Sequence, residues 1–178
     1  MPRIQSISQE KASKEVSTIY DDLKKKMGKI PNIFLHMGNS SAILKGYLQL
    51  SDAAAHSSLP ENIRESVALV VSQTNNCNYC LSAHTMIAKG AGLNDQEILQ
   101  SRKGSAQDAK LKAILIFSKA IVDKKGMVDD RDVADVKKAG VSDQEITDII
   151  LVVVQTIFTN YFNHIVDPVV DFPQAPAL

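Results

Sequence analysis

The chain has 178 residues and a mass of 19.4 kDa, and its 20 basic side chains balance its 20 acidic ones. Zero net charge excludes the basic surface that nucleic-acid binding requires and the polybasic cluster that holds a protein to an anionic membrane. Aromatic residues make up only 5% of the chain, so a base-stacking platform is not expected. The 44% of apolar residues is enough for a globular domain with a sizeable core.

The start of the sequence and its two cysteines bear on the compartment. Residues 1–6 lack the apolar stretch of a secretory signal, and the longest apolar run, residues 149–154, is far below the roughly 20 residues that span a bilayer. We therefore expect a cytoplasmic protein, whose thiols are kept reduced. In that compartment Cys77 and Cys80 are expected to be catalytic or metal-binding rather than a structural disulfide.

Apolar residues recur with the period of an α-helix through most of the chain, and no segment alternates as a half-buried strand does. Gly28 marks the end of the first helix, and Pro60 stands at the start of a later one. The expected helices lie at about 8–27, 41–56, 60–74, 77–89, 94 onwards, 106–125, 130–139 and 142–164, with a short segment at 33–37. The pattern predicts an all-α fold of about eight helices.

The β-branched run at residues 149–154 is predicted to be a helix buried nearly all round, because it follows a capping box at Ser142 within a long unbroken segment. A helix of this kind is too apolar for the surface of a small monomer, so a homo-oligomer is expected. We expect a single domain over residues 1–178, with a helical core at 8–166 and an extended tail at 167–178.

The sequence contains a possible internal repeat. Residues 69–74 recur almost unchanged at residues 151–156, and the two cysteines correspond to Thr159 and Phe162 at the same offset. The simplest interpretation is two related helical half-units about a pseudo-two-fold axis; the alternative is chance, since Leu and Val are common residues. Because the second copy lacks the thiols, one active site per chain is expected.

Four residues with complementary chemistry fall in one stretch: Glu65, Cys77, Cys80 and His84. Cys80 and His84 share a face of the predicted helix, and an antiparallel return would bring Glu65 beside His84. A thiolate is a nucleophile, an imidazole can accept the thiol proton, and a carboxylate can orient that imidazole. A second thiol can condense with a sulfenic acid to form a disulfide. The stretch therefore predicts a redox-active thiol pair with a proton relay.

Other interpretations of the Cys-x-x-Cys pattern were compared on the same residues. Haem attachment requires a His directly after the second Cys, where Leu81 stands, and a thioredoxin motif requires a βαβ unit, whereas the surroundings look helical. Zinc held by both cysteines, His84 and a fourth ligand, either His56 or Glu65, stays open. Two buried cysteines without any chemical role also stay open.

The spacing Glu65-x11-Cys77-x2-Cys80-x3-His84 resembles the signature of the alkylhydroperoxidase D (AhpD-like) proteins, within the carboxymuconolactone decarboxylase superfamily. The resemblance covers roughly residues 8–173 and is strongest in this central motif. Flanking segments are also similar, among them the Pro-Asn turn in 28–34 and the closing segments 159–164 and 171–172, which resemble the peroxidase-related branch.

The resemblance implies an all-helical fold, a trimer or hexamer, and reduction of hydroperoxides without haem, flavin or metal. By motif position it implies that Cys80 attacks the peroxide, that Cys77 resolves the sulfenic acid, and that Glu65 and His84 relay the proton. It also implies a small hydroperoxide substrate and a thiol or lipoyl-type electron donor. Well-known relatives have a His where this chain has Tyr79, a poor proton acceptor at neutral pH.

Several points stay open at the level of sequence. The helix dipole favours Cys77 as the nucleophile, whereas the spacing to His84 and the family pattern favour Cys80. His36 and His56 are expected to be surface or packing residues, and His164 is expected to be structural. The alternative functions are a carboxymuconolactone-decarboxylase-like enzyme, which needs no thiol pair, and a non-enzymatic redox-sensing or zinc-binding module.

Overall fold

The structure, a computed structural model, describes residues 1–178 and contains nine α-helices and no β-strand. The helices are α1 (Lys14–Met27), α2 (Asn32–Met37), α3 (Ser41–Ala55), α4 (Glu61–Thr74), α5 (Asn78–Gly90), α6 (Asp95–Arg102), α7 (Ala109–Asp123), α8 (Asp130–Lys138) and α9 (Asp143–Val166). The predicted all-α class is confirmed. The count exceeds eight because the short segment after the Pro-Asn turn forms the regular helix α2.

Side-chain caps decide where several helices begin. Ser13 accepts a hydrogen bond from the backbone N–H of Val16, so α1 begins at Lys14 rather than at residue 8. In the same way Asp108 caps α7, which begins at Ala109 rather than at residue 106. In both cases the expected start was too early, because the residues before the cap form a separate 3₁₀ turn at 9–11 and a bend at 107–108.

Helix α4 lies at the centre of the molecule and packs against α5, α6, α7 and α9. Its valines Val67, Val70 and Val71 are fully buried together with Ile149 and Val153 of α9. A fully buried side chain of this size contributes about 1.5–3 kcal/mol through loss of water contact. This cluster is the rigid core of the fold, and a second cluster, formed by α1, α2 and α3, packs around the two cysteines.

Helices α4 and α9 begin at equivalent positions of the proposed repeat. Their N-caps are Pro60 and Ser142, separated by the same offset as the repeated residues 69–74 and 151–156. The two helices then differ. Helix α4 ends at Thr74 and the chain turns through Asn76, which has a positive φ of 56°, whereas α9 continues unbroken to Val166. The break in the first copy creates the helix start at which the cysteines lie.

Helix α9 is long and apolar enough to cross a membrane by length and composition, a test that the core helix of a soluble protein also passes. Here it packs into the protein, with 44% of its most apolar window buried. The prediction that residues 149–154 are buried nearly all round is wrong. Ile150 is 43% exposed and Val154 is 49% exposed, because these two side chains point away from α4 and α7.

The tail after α9 has no regular secondary structure and lies across the helices that surround the cysteines. The carboxylate of Asp171 accepts hydrogen bonds from Lys29 Nζ at 2.9 Å and from the backbone N–H of Asn32 at 3.3 Å. Farther along, Arg102 Nη1 donates to the carbonyl of Pro176 at 2.6 Å. These contacts fix the tail against α2 and α6.

Candidate active site

The turn between α4 and α5 positions the two cysteines. The backbone N–H of Cys77 donates to the carbonyl of Ser72 at 2.9 Å, which reverses the chain after α4. Cys77 is then the N-cap of α5, and Cys80 lies in the first turn of the same helix. The first backbone N–H groups of a helix have no partner within it and carry partial positive charge, which favours thiolate at this position.

The two thiols are reduced, buried and close together. Cys77 is 1% exposed and Cys80 is 3% exposed, and about 3.0 Å separates the two thiol groups. Asn163 of α9 donates its Nδ2–H to Cys80 Sγ at 3.2 Å and lies farther from Cys77 Sγ, at 4.0 Å. Cys80 also contacts the hydroxyl of Thr159 at 3.8 Å. The two sulfurs therefore differ in their hydrogen bonds: the amide of Asn163 and the hydroxyl of Thr159 contact Cys80 more closely than any side chain of α9 contacts Cys77.

This asymmetry shifts the two pKa values in opposite directions. A hydrogen bond from the Cys77 thiol lowers the pKa of Cys80 against the opposing effect of burial. The charge of His84 and the amides of Asn160 and Asn163 lower this pKa further. The same hydrogen bond, together with burial, raises the pKa of Cys77. Cys80 is thus the group that forms a thiolate, and Cys77 remains a thiol beside it.

Glu65 and His84 form the predicted pair across α4 and α5. His84 Nδ1 lies 2.8 Å from Glu65 Oε2, with side chains only 21% and 13% exposed. Burial works against a charged imidazole, but the charge and hydrogen bond of Glu65 and the charge of Cys80 outweigh it and raise the pKa of His84. No hydrogen bond joins His84 directly to either sulfur, so the ring influences Cys80 through its charge.

An apolar cavity of about 250 Å³ reaches Cys80 and His84. Four aromatic side chains contribute to its wall: Phe34, Tyr47, Tyr79 and Phe172. A second cavity of about 190 Å³ reaches the other side of His84 and the carboxylate of Glu65. His84 borders both cavities and so separates an apolar compartment at the thiol from a polar one at the carboxylate.

Tyr79 stands where well-known relatives have a His, and its hydrogen bonds connect α5 to α2 and to the tail. Its hydroxyl donates to Asp171 Oδ1 at 2.7 Å and accepts the backbone N–H of Ile33 at 3.1 Å. Burial and the neighbouring carboxylate raise the pKa of Tyr79, so it stays protonated. The ring also meets Phe172 edge-on, with centroids 5.5 Å apart. Tyr79 therefore anchors the tail and is not the proton acceptor of the site.

The remaining histidines lie away from the thiols. His36 is buried in α2, where burial lowers its pKa, and His56 is exposed at the end of α3. His164 is exposed on the last turn of α9. No three His, Cys, Asp or Glu side chains surround a common point, so the zinc arrangement considered from the sequence, with His56 or Glu65 as the fourth ligand, does not form.

Two residues that contact Cys80, Asn163 and Thr159, were not among the predicted site residues. Thr159 occupies the position of Cys77 in the second copy of the repeat, and Asn163 follows it by one helical turn. The sequence signal was this polar pair at helical spacing, shortly after the apolar run at residues 149–154. The second copy lacks the thiols but supplies the hydrogen-bond donor that one of them uses.

Residues 42–120 match the carboxymuconolactone decarboxylase family, and this span contains all four predicted site residues. No curated protein sequence matches the chain. The predicted AhpD-like fold is confirmed, since a solved structure described by that name shares it.

Three solved structures share the fold over nearly the whole chain. An uncharacterized peroxidase-related protein with an alkylhydroperoxidase AhpD core, from Ralstonia eutropha JMP134, has a TM-score of 0.85 at 18% identity and covers 97% of this chain and 92% of its own. An uncharacterized peroxidase-related protein from Silicibacter sp. TM1040 has a TM-score of 0.80 at 22% identity, covering 90% and 87%. The debrominase Bmp8, as a variant in complex with 2,3,4-tribromopyrrole, has a TM-score of 0.80 at 17% identity, covering 95% and 91%. These likenesses establish a common fold.

Proposed function

Because residues 42–120 match the carboxymuconolactone decarboxylase family and the fold is AhpD-like, we propose that the protein is a thiol-dependent hydroperoxide reductase with an antioxidant role. One observation carries the proposal. The buried Cys80, with its lowered pKa, borders an apolar cavity, and the thiol of Cys77 lies about 3.0 Å away. A thiolate beside a thiol is the minimal apparatus for reducing a peroxide and storing the oxidation as a disulfide.

In the first step the Cys80 thiolate attacks the terminal oxygen of a hydroperoxide. A sulfur–oxygen bond forms, the oxygen–oxygen bond breaks, and Cys80 becomes a sulfenic acid while the alkoxide leaves. The alkoxide needs a proton, and the imidazolium of His84, stabilised by Glu65, borders the same cavity and supplies it. The amide of Asn163 stabilises the thiolate before attack.

In the second step Cys77 resolves the sulfenic acid. Its sulfur attacks Cys80 Sγ, the disulfide bond forms, and hydroxide leaves as water with the proton of the Cys77 thiol. Closing the gap from about 3.0 Å to a bond of about 2.05 Å needs only a small side-chain movement. The two steps together convert a hydroperoxide and two thiols into an alcohol, water and a disulfide.

The cycle closes when an external thiol or lipoyl-type donor reduces the disulfide. We further propose a homo-oligomer, a trimer or a hexamer, and a cytoplasmic location. An exposed apolar stripe along α9 supports the oligomer; it comprises Ile150, Val154, Tyr161 and Ile165. Light scattering at micromolar concentration tests this point, and a mass of 19.4 kDa in solution would contradict it.

The function is tested by turnover of an organic hydroperoxide with dithiothreitol as donor. Wild-type protein should consume the peroxide continuously, and Cys80→Ser should consume none. Cys77→Ser serves as the matched control because it keeps the attacking thiol; without dithiothreitol it should reduce about one peroxide per chain quickly and a second only slowly, as the sulfenic acid becomes a sulfinic acid. Equal rates for wild type and Cys80→Ser would refute the proposal.

A reductive dehalogenase is the second candidate, favoured by the four aromatic rings around the cavity at Cys80. The debrominase Bmp8 shares the fold and binds a flat bromopyrrole. In the balanced reaction an aryl bromide and two thiols give the arene, hydrogen bromide and a disulfide. Bromide release from 2,3,4-tribromopyrrole in the presence of dithiothreitol tests it. A lactone acid is a poorer match, because no Lys or Arg lines this cavity to bind its carboxylate.

A further inference from the structure

A third cavity reaches the thiol pair from a different side. It is a polar cleft of about 500 Å³, and Cys77 lines it whereas Cys80 does not. The apolar cavity shows the reverse, with Cys80 in its wall and Cys77 absent from it. Tyr79 and Asn163 line both spaces and therefore form the partition between them. Each cysteine thus borders a different open space, although both are almost fully buried.

The cleft at Cys77 is chemically unlike the cavity at Cys80. Its wall contains Arg3, Asn78, His164 and Asp167, and Arg3 is held in place because its Nη1 donates to the carbonyl of His164 at 2.8 Å. Such a wall suits a polar, hydrated molecule. Asn163, only 4% exposed, also keeps its Oδ1 without a hydrogen-bond partner, and this atom can accept a hydrogen bond from an incoming thiol or hydroperoxide.

Thiol–disulfide exchange has a stereochemical requirement that connects these two routes. The attacking sulfur approaches along the line of the disulfide bond, on the side opposite the sulfur that leaves, and a thiol of lower pKa leaves faster. An approach through the cleft meets Cys77 and expels Cys80. An approach through the apolar cavity meets Cys80 and expels Cys77, whose thiolate is much less stable here.

We propose that the electron donor is a thiol that enters by the polar cleft and attacks Cys77, while the oxidising substrate enters by the apolar cavity and reacts at Cys80. The donor thiolate forms a disulfide bond with Cys77 Sγ, the bond between Cys77 and Cys80 breaks, and Cys80 leaves as a thiolate. A second donor thiol then releases Cys77, which takes up a proton, and the donor leaves oxidised. The inference rests on the proposed thiol oxidoreduction and assigns the donor's binding site.

The first test locates the mixed disulfide in the wild-type protein. The disulfide between Cys77 and Cys80 is made with diamide, 2-mercaptoethanol is added, and free thiols are blocked with N-ethylmaleimide at short intervals before peptide mass spectrometry. Mercaptoethanol is expected on Cys77 and maleimide on Cys80. Mercaptoethanol on Cys80, or on both cysteines equally, overturns the proposal.

The second test fills one route at a time. Asn78 is exposed at the start of α5 and lines the cleft, and Ala83 lines the apolar cavity one turn beyond Cys80. Asn78→Trp is expected to slow reduction of the disulfide by dithiothreitol about tenfold more than it slows oxidation of the thiols. This ratio is equivalent to about 1.4 kcal/mol of barrier. Ala83→Phe is the matched control and is expected to slow oxidation more than reduction. Circular dichroism confirms that both variants fold.

A stronger effect of Ala83→Phe than of Asn78→Trp on the reduction rate overturns the proposal, because it places the donor in the apolar cavity. The reduction rates in both tests start from a disulfide made with diamide, so they do not depend on peroxide turnover. A protein that forms the Cys77 adduct but consumes no hydroperoxide would refute the proposed function and leave the donor route intact.

Discussion

Replacing Asn163 with Leu removes the amide that donates to Cys80 Sγ from α9 at 3.2 Å, while keeping a side chain of similar size. A hydrogen bond to a charged group contributes about 1.5–3 kcal/mol, and one pKa unit corresponds to about 1.4 kcal/mol. The contact to Cys80 Sγ spans 3.2 Å, and the Cys77 thiol donates to the same sulfur. The amide shares its acceptor, so the lower end of that range applies, and Asn163→Leu should raise the pKa of Cys80 by about one unit.

The assay is the pH dependence of alkylation of Cys80 by iodoacetamide, followed by mass spectrometry of the labelled peptide. The midpoint should move to higher pH in Asn163→Leu, since the rate follows the thiolate fraction. Asn78→Leu is the matched control, because Asn78 is exposed and bonds neither sulfur. Stability should change little, because the substitution also removes the unpaired Oδ1 of Asn163. An unchanged or lower midpoint in Asn163→Leu would refute the assigned donor role.

Three further predictions follow from the site. Cys77→Ser should leave Cys80 as a sulfenic acid that excess peroxide oxidises further to a sulfinic acid, which intact-mass measurement detects; a persistent sulfenic acid in wild type would contradict the resolving role. Glu65→Gln should lower the pKa of His84. Because the pKa of His84 is raised in the folded protein, the pair of His84 and Glu65 stabilises the fold fully below pH 6.5. This stabilisation is lost as the pH rises through the raised pKa. The free energies of urea unfolding of wild type and Glu65→Gln should therefore converge at high pH. A pH-independent difference would exclude the ion pair as its cause. Phe172→Ala should open the apolar cavity and speed labelling of Cys80 by a bulky aromatic maleimide about tenfold relative to iodoacetamide, about 1.4 kcal/mol in barrier. Equal ratios in both proteins would remove Phe172 from the wall.

Much of the fold could be predicted from the sequence because helix signals are local. The capping boxes at Asn94 and Ser142 begin α6 and α9 where they were expected, and Gly28 ends α1 with a positive φ of 73°. The grouping of Glu65 with His84 also followed from local geometry, because a short turn between two helices leaves adjacent faces in contact. Signals of this kind lie within one turn of helix, so they do not depend on how the helices pack against one another.

The parts that sequence reasoning missed depend on contacts between distant segments. Asn163 reaches Cys80 from a helix that lies more than eighty residues later in the chain, and Tyr79 is bonded to Asp171 over a similar separation. No periodicity encodes which face of α9 meets the cysteines. The sequence also left the orientation of the His84 ring open: its Nδ1 is bound to Glu65, and no hydrogen bond joins the ring to Cys80.

The tail that follows α9 has a consequence for how this protein can diversify. Phe172 forms part of the cavity wall at Cys80, yet it belongs to no helix and is held by Asp171 and a few polar contacts. Substitutions in a buried helix must preserve close packing with many neighbours, whereas substitutions in an extended surface segment need preserve only its anchors. Substitutions in the tail can therefore change which molecules reach Cys80, while the helices, the pair of Glu65 and His84, and the two cysteines stay the same.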